Sequence, residues 1–163
     1  NRGIGNGLCL PAGPLRESLE RLDDADFVVS SSRMTNIKTK HRNYLMNYRP
    51  IEWARIADNK RFPADSWPLS RNVHAVAGIG NPAKFYKTLI NLGLSPIQHS
   101  FPDHYQFKEE DLDFGDSLPI IMTEKDAARC LDMDNKNLWY LSVEAKFEDE
   151  TFEKTILEKI KEF

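Results

Sequence analysis

Four short polar stretches carry residue types that can handle phosphate and hydroxyl groups. The first, Gly78-Ile79-Gly80-Asn81-Pro82-Ala83, fits the pattern G-x-G-x-x-A. Glycines at such a turn let backbone N–H groups approach a phosphate at a helix N-terminus, so Gly78, Gly80, Asn81 and Pro82 are candidates for lying near a nucleotide. Pro82 lacks one of those donors. The plainer reading is a tight turn that uses the positive φ open to glycine and sets Pro82 at the first helical position.

The second stretch is Asp103-His104. A histidine titrating near neutrality suits general-base work, which makes His104 the candidate catalytic residue. Adjacency alone does not make Asp103 its partner. The third, Thr123-Glu124-Lys125-Asp126, reads either as a helix N-cap with acidic residues in the first turn or, with Asp103, as a ligand-facing rim. The fourth, Arg16-Glu17, either starts a helix or contributes to a site, because arginine can grip a phosphate through paired hydrogen bonds. None of the four histidines (His41, His74, His99, His104) stands at metal-ligand spacing from another His or Cys. Cys130, on an apolar helix face, reads as core.

The surrounding pattern says which elements must position these groups. Pro14 and the spacing Leu15, Leu19, Leu22 predict a short helix, and Phe27-Val28-Val29 a buried strand. Alternation at Tyr44, Met46 and Tyr48, and again around Ala54 and Ile56, predicts short half-exposed strands, followed by an irregular connection from Arg61 to Arg71. His74–Ala77 is a strand, and a helix with Phe85, Leu89, Ile90 and Leu92 follows it, stopped by Gly93. Ile97–Phe101 and Pro119–Met122 are further strands, with a short helix around Glu109–Leu112 between them. Thr123 caps a helix running to Leu131, Trp139–Val143 is a strand, and residues 149–161 form a closing amphipathic helix. Strands alternating with helices predict an α/β fold, a mainly parallel twisted sheet with helices on both faces. Ligand groups gather at the carboxyl ends of such strands. Gly78–Pro82, Asp103-His104 and Thr123–Asp126 all fall there.

Composition narrows the classes. The chain has 163 residues, 40% hydrophobic and 29% charged, which is globular. A net charge of −3 argues against a general nucleic-acid binder. No apolar run approaches the ~18–20 residues needed to cross a bilayer. Two cysteines, Cys9 and Cys130, make neither a disulfide framework nor a zinc site, so a reduced setting is the default. There is no G-x-x-x-x-G-K-[ST] loop, H-E-x-x-H, G-x-S-x-G or EF-hand loop. The chain opens on Asn1 and runs into Arg2-Gly3-Ile4-Gly5-Asn6-Gly7, which reads as the middle of a longer protein. The expected organisation is residues 1–32 continuing a preceding half, 33–72 as short strands and irregular connection, and 73–163 as an α/β subdomain.

Five segments in order carry a resemblance: Gly5-Asn6-Gly7, Leu10-Pro11-Ala12-Gly13-Pro14-Leu15-Arg16-Glu17, Ala75 to Pro82, Phe101-Pro102-Asp103-His104 and Met122-Thr123-Glu124-Lys125-Asp126-Ala127. Together they resemble the C-terminal half of the tetraacyldisaccharide 4'-kinase (lipid A 4'-kinase) family, from Arg2 to about Val143. The resemblance implies a P-loop-kinase-like fold, here without its P-loop. It also implies transfer of the γ-phosphoryl of ATP to the 4'-hydroxyl of a lipid A disaccharide precursor, with Mg²⁺. The implied place is the membrane surface at the cytoplasmic face of the bacterial inner membrane. The phosphate-binding loop, the acidic metal ligands and a membrane anchor are then expected in the protein's own N-terminal half. His104 matches the histidine that the family pairs with an aspartate from that half, and Arg16 and Glu17 match positions near the lipid acceptor. The basic stretch Arg33, Lys38, Lys40, His41 and Arg42 reads first as a solvated face. Two other readings stay open: a nucleotide- or dinucleotide-binding module built on Gly78–Ala83, and a non-catalytic interaction domain.

Overall fold

The computed structural model describes residues 4–31, 40 and 42–162. The chain divides into two compact units, Asn1–Arg49 with Ala145–Phe163, and Pro50–Glu144. In order, the elements are β1 (Val28–Ser30), β2 (Asn43–Arg55), β3 (Arg61–Pro63), β4 (Asn72–Ala77), α1 (Pro82–Asn91), β5 (Ser95–Ser100), β6 (Ile120–Thr123), α2 (Glu124–Ala127), β7 (Leu138–Phe147) and α3 (Phe152–Ile160).

The unit Pro50–Glu144 holds the sheet that matters for the site. Its strand order is β2-β7-β6-β4-β5, with β3 pairing β2 antiparallel. The β7-β6-β4-β5 stretch is parallel throughout, with Ala75 opposite both Ile121 and Gln98. Such a sheet is buried on both faces, so its central strand reads as a nearly continuous apolar run. Five of the six β4 residues are buried.

Alternation assigns the two faces. Val73, Ala75 and Ala77 join Ile121, Trp139 and Leu141 beneath Phe85, Tyr86 and Leu89 of α1. Val76, Ile120, Met122 and Leu138 pack on the other face against Phe107, Leu112, Ala127 and Cys130. Burial pushes the Cys130 thiol up to about 11, leaving it a protonated core side chain. Helix α1 starts with Pro82 in its first turn and ends at Gly93, whose φ of +84° suits glycine. The Gly93 N–H donates to the Ile90 carbonyl and the Leu94 N–H to the Leu89 carbonyl, which closes the helix.

In the other unit β1 pairs with β2 in parallel register, Val28 opposite Asn43. Phe27, Tyr44, Phe147 and Phe152 form an aromatic cluster, with Tyr44 and Phe152 ring centroids 4.3 Å apart. The Gly-rich entry folds back on itself through Leu10 N–H to Leu15 O, 2.8 Å, and Asn6 Nδ2 to Ala12 O, 2.9 Å.

Several elements depart from the sequence expectation. The two short strands around Tyr44–Tyr48 and Ala54 are one 13-residue strand, and a short β3 stands where a loop was expected. The helix expected from Leu15 is a five-residue 3-10 turn, Leu19–Asp23, with acids at its C-terminal end where the helix dipole disfavours them. Helix α2 stops at Ala127 rather than Leu131. Arg33, Lys38 and His41 lie outside the described residues. Lys40 is exposed, and Arg42 pairs with Asp149 at 2.7 Å.

A polar chain interrupts the second face of the sheet. His74 Nε2 lies 3.1–3.2 Å from both Asp116 oxygens, and His74 Nδ1 lies 2.9 Å from His99 Nε2. Phe114 stacks on both rings, with centroids 4.0 and 4.1 Å away. A carboxylate only accepts, so a neutral His74 carries its proton on Nε2 and its Nδ1 accepts from His99 Nε2–H; a protonated His74 donates to His99 instead. Burial, and secondarily the neighbouring His74, hold His99 below its ordinary value of 6.5. The folded state therefore binds fewer protons than the unfolded chain, and stability is lost as pH falls below about 6.5. Thermal unfolding should show a falling midpoint between pH 7.5 and 5.5, with a shallower fall in His99→Gln; equal slopes would contradict this origin.

Candidate functional site

Three of the sequence clusters meet at the carboxyl ends of β4, β5 and β6, and the group that joins them is Asp126. Its side chain is fully buried. Oδ2 accepts from the Gly78 backbone N–H at 3.1 Å and from Thr123 Oγ1 at 2.7 Å. Oδ1 accepts from Arg129 Nη1 at 3.0 Å. Local sequence explains this placement. Thr123 caps α2 by accepting from the Asp126 N–H, 3.2 Å. The chain then tightens to i→i+3 bonds, with Arg129 N–H to Asp126 O and Cys130 N–H to Ala127 O, both 2.9 Å. In such a turn residues three apart eclipse, so Arg129 lies over Asp126.

The circuit continues through His104. Arg129 Nη2 reaches His104 Nδ1 at 3.2 Å, and the His104 backbone N–H donates to the Gly78 carbonyl at 3.2 Å. Gly78, Asp126, Arg129 and His104 thus form a closed ring of hydrogen bonds. His104 itself is exposed and adopts φ +65°, the left-handed region that costs a non-glycine residue roughly 1–2 kcal/mol. Strain of this kind persists where the surroundings fix it, and it clusters at functional sites.

Lys125 Nζ pairs with Asp103 Oδ1 at 3.2 Å, and this hydrogen bond is the main reason the Asp103 carboxyl is held below its usual range. Asp103 Oδ2 lies 3.9 Å from His104 Nε2, too far for a hydrogen bond.

The glycine turn is not what its motif suggested. Gly78 is buried and its N–H is engaged by Asp126. A Cβ there would meet Pro102 O at 3.2 Å and Asp126 Oδ1 at 3.3 Å, so close packing inside the protein favours glycine at this position. Neither Gly78 nor Gly80 is among the glycines with positive φ. The part of the turn open to a ligand is Gly80, Asn81 and Pro82. This takes the first phosphate donor away from the dinucleotide reading.

Glu124 stands apart from the ring, accepting from Ser142 Oγ at 3.1 Å. Arg16 and Glu17 belong to the other unit, where both are exposed and Glu17 pairs with Arg21 at 3.1 Å. Arg129 was not foreseen; its signal is the Asp126–Arg129 spacing of three, visible once a helical turn is assigned there.

Among the described residues no three His, Cys, Asp or Glu side chains group as a metal site. Asp126 is fully occupied by protein donors. The described residues do not fit a magnesium cradle.

A mainly parallel sheet with polar groups gathered at its carboxyl edge makes this an α/β protein of the class in which ligand sites form at that edge. The sequence model of the family described as Tetraacyldisaccharide-1-P 4'-kinase matches residues 1–161, and the chain belongs to that family. It is 42% identical over 153 residues to a tetraacyldisaccharide 4'-kinase of Hahella chejuensis, covering 94% of this chain and 44% of that protein. It is 46% identical over 145 residues to that of Alcanivorax borkumensis, covering 88% and 43%. The fold is similar to the crystal structure of the "apo" form of LpxK from Aquifex aeolicus in complex with ATP. That likeness has a TM-score of 0.69 and 28% identity, over 93% of this chain and 48% of that one. The chain therefore spans less than half the length of the relatives it matches.

Asp126→Asn should destabilise the chain by about 3 kcal/mol, since it breaks a buried pair and leaves Arg129 without its counter-charge. Lys125→Ala, which removes an exposed pair, should change stability by less than about 1 kcal/mol. Urea denaturation of both variants measures the contrast, and similar losses would remove Asp126 from the centre of the site.

Proposed function

We propose that this chain is the acceptor-side part of a tetraacyldisaccharide 4'-kinase, an enzyme that moves the γ-phosphoryl of ATP onto the 4'-hydroxyl of tetraacyldisaccharide 1-phosphate. The observation that carries this reading is His104, exposed at the carboxyl edge of the sheet on a strained backbone, within the family-like segment Phe101–His104.

Phosphoryl transfer depends mainly on positioning and charge neutralisation, with a base or orienting group for the nucleophile. The bond between the acceptor oxygen and phosphorus forms, the bond from phosphorus to the ADP oxygen breaks, and the hydroxyl proton leaves to a base. His104 acts on that hydroxyl as base or orienter, with an aspartate from the N-terminal half as its partner. Arg16 and Glu17 contact the lipid acceptor, and Gly80, Asn81 and Pro82 lie toward the nucleotide. Asp103, Thr123, Glu124 and Lys125 form the rim.

ATP use is supported by the ATP complex of the Aquifex aeolicus relative. Mg²⁺, when bound, neutralises phosphate charge, and its ligands belong to the N-terminal half. A lipid acceptor places the work at a membrane surface, at the cytoplasmic face of the bacterial inner membrane. No helix among the described residues is long and apolar enough to cross a membrane.

In the full-length kinase that carries these residues, His104→Ala should lower kcat at least about tenfold. Steady-state kinetics with ATP and the lipid disaccharide gives the answer, and an unchanged kcat would reduce His104 to a structural residue. The 163-residue chain alone, which holds no G-x-x-x-x-G-K-[ST] loop, should transfer no phosphate to the lipid; robust transfer would refute the division of labour.

A further inference from the structure

Charge is unevenly spread along the chain. It holds 25 Asp and Glu among 163 residues, yet none falls between Ser66 and Pro102. That stretch carries Arg71, Lys84 and Lys87, and it builds β4, α1 and β5 at one edge of the sheet. A chain of net charge −3 thus presents a local patch that is purely basic.

The same stretch carries large apolar side chains on its surface. Leu69, Ile90 and Ile97 are exposed, the last two by about half. Ile90 and Ile97 line a shallow groove with Leu94, Pro96 and Leu118. Basic groups border that groove. Lys87 is exposed one turn before Ile90 on α1. The Arg71 carbonyl accepts from the Ser95 N–H at 2.8 Å, and a Cβ on Gly93 would stand 4.0 Å from Arg71 Nη1, so the guanidinium lies over the end of α1. Among the described residues neither Arg71 nor Lys87 has an ion-pair partner. Asp116, two residues before Leu118, is already engaged by His74 Nε2 and the Leu118 N–H. Helix α1 starts beyond the carboxyl end of β4 and ends just before β5, so its outward face runs from the site edge to the groove.

We propose that the outward face of α1, together with the β5 groove, docks on an anionic lipid bilayer. This rests on the reading of the acceptor as a lipid and says which surface of the chain meets the membrane. Lys and Arg gain from anionic headgroups, and exposed isoleucines between them enter the boundary with the acyl chains. A second copy of the chain fits this face poorly. A symmetric contact would press one basic patch against its own equivalent. Pro96, which has no N–H, also blunts the free edge of β5 as a template for strand addition.

Vesicle flotation of the 163-residue chain is the test. The chain should bind phosphatidylcholine vesicles that contain phosphatidylglycerol, bind pure phosphatidylcholine far more weakly, and come off as salt is raised. Arg71→Gln and Lys87→Gln should each weaken binding about fivefold. Ile90→Ser with Ile97→Ser leaves the charge unchanged and should still cost at least about fivefold. Lys136→Gln with Lys146→Gln removes as much charge outside the acid-free stretch and should change binding by less than about twofold. No binding, equal binding to both vesicle types, unchanged binding in the first three variants, or an equal loss in the Lys136 and Lys146 pair overturns the proposal. Acetylation footprinting of the unsubstituted chain decides if a variant does not fold. Anionic vesicles should protect Lys87 and leave Lys136 reactive, and equal reactivity of the two would count against the surface. Activity separates this claim from the kinase reading. An unaltered kcat in full-length His104→Ala would fail that reading and leave the vesicle result as measured. A kcat loss there without vesicle binding here would fail only the docking surface.

Discussion

A carboxylate with no water around it must find its partners inside the protein, and Asp126 is the buried carboxylate among the described residues. Meeting that requirement organises the carboxyl edge of the sheet. The Gly78 N–H is drawn in from the end of β4, Thr123 from the end of β6, and Arg129 from the turn that follows α2. Each partner carries a local consequence. Residue 78 is left little room for a side chain. Helix α2 is only one turn long before it tightens. The guanidinium arrives with one face still free for His104. The exposed polar groups at this edge are thus held from below by a fully buried carboxylate.

Much of this architecture was legible in the sequence, because it rests on local periodicity. The runs His74–Ala77 and Pro119–Met122, the apolar face of α1 and its glycine stop all follow from patterns within ten residues. The convergence of Gly78, His104 and Asp126 followed from the parallel topology rather than from any motif. What escaped lay in contacts across the chain. Strand β2 passes through Arg49-Pro50 with its middle residues exposed, so no alternation continues across it; Tyr44 and Trp53 are its buried ends. His74 and His99 are 25 residues apart and meet only because β4 and β5 are parallel neighbours. Arg129 went unread, although its spacing of three from Asp126 puts the two side chains on one side of any helical turn there.

The glycine turn shows how one motif can serve two ends. G-x-G-x-x-A suggested a phosphate cradle, yet its first glycine yields its N–H to the protein and only the following residues face outward. A pattern match reports that the backbone must come close to something. Here that something is Asp126 and Pro102.

The backbone of His104 has a consequence of its own. At φ +65° the position favours glycine or asparagine on conformational grounds alone. If His104 is the residue that meets the acceptor, as proposed above, the fold and the chemistry want different residues at 104. A library selected only for thermal resistance would drift away from histidine at this site, while one selected for phosphoryl transfer would keep it. Where those two selections diverge along this chain, the divergence itself would map the residues held for chemistry rather than for folding.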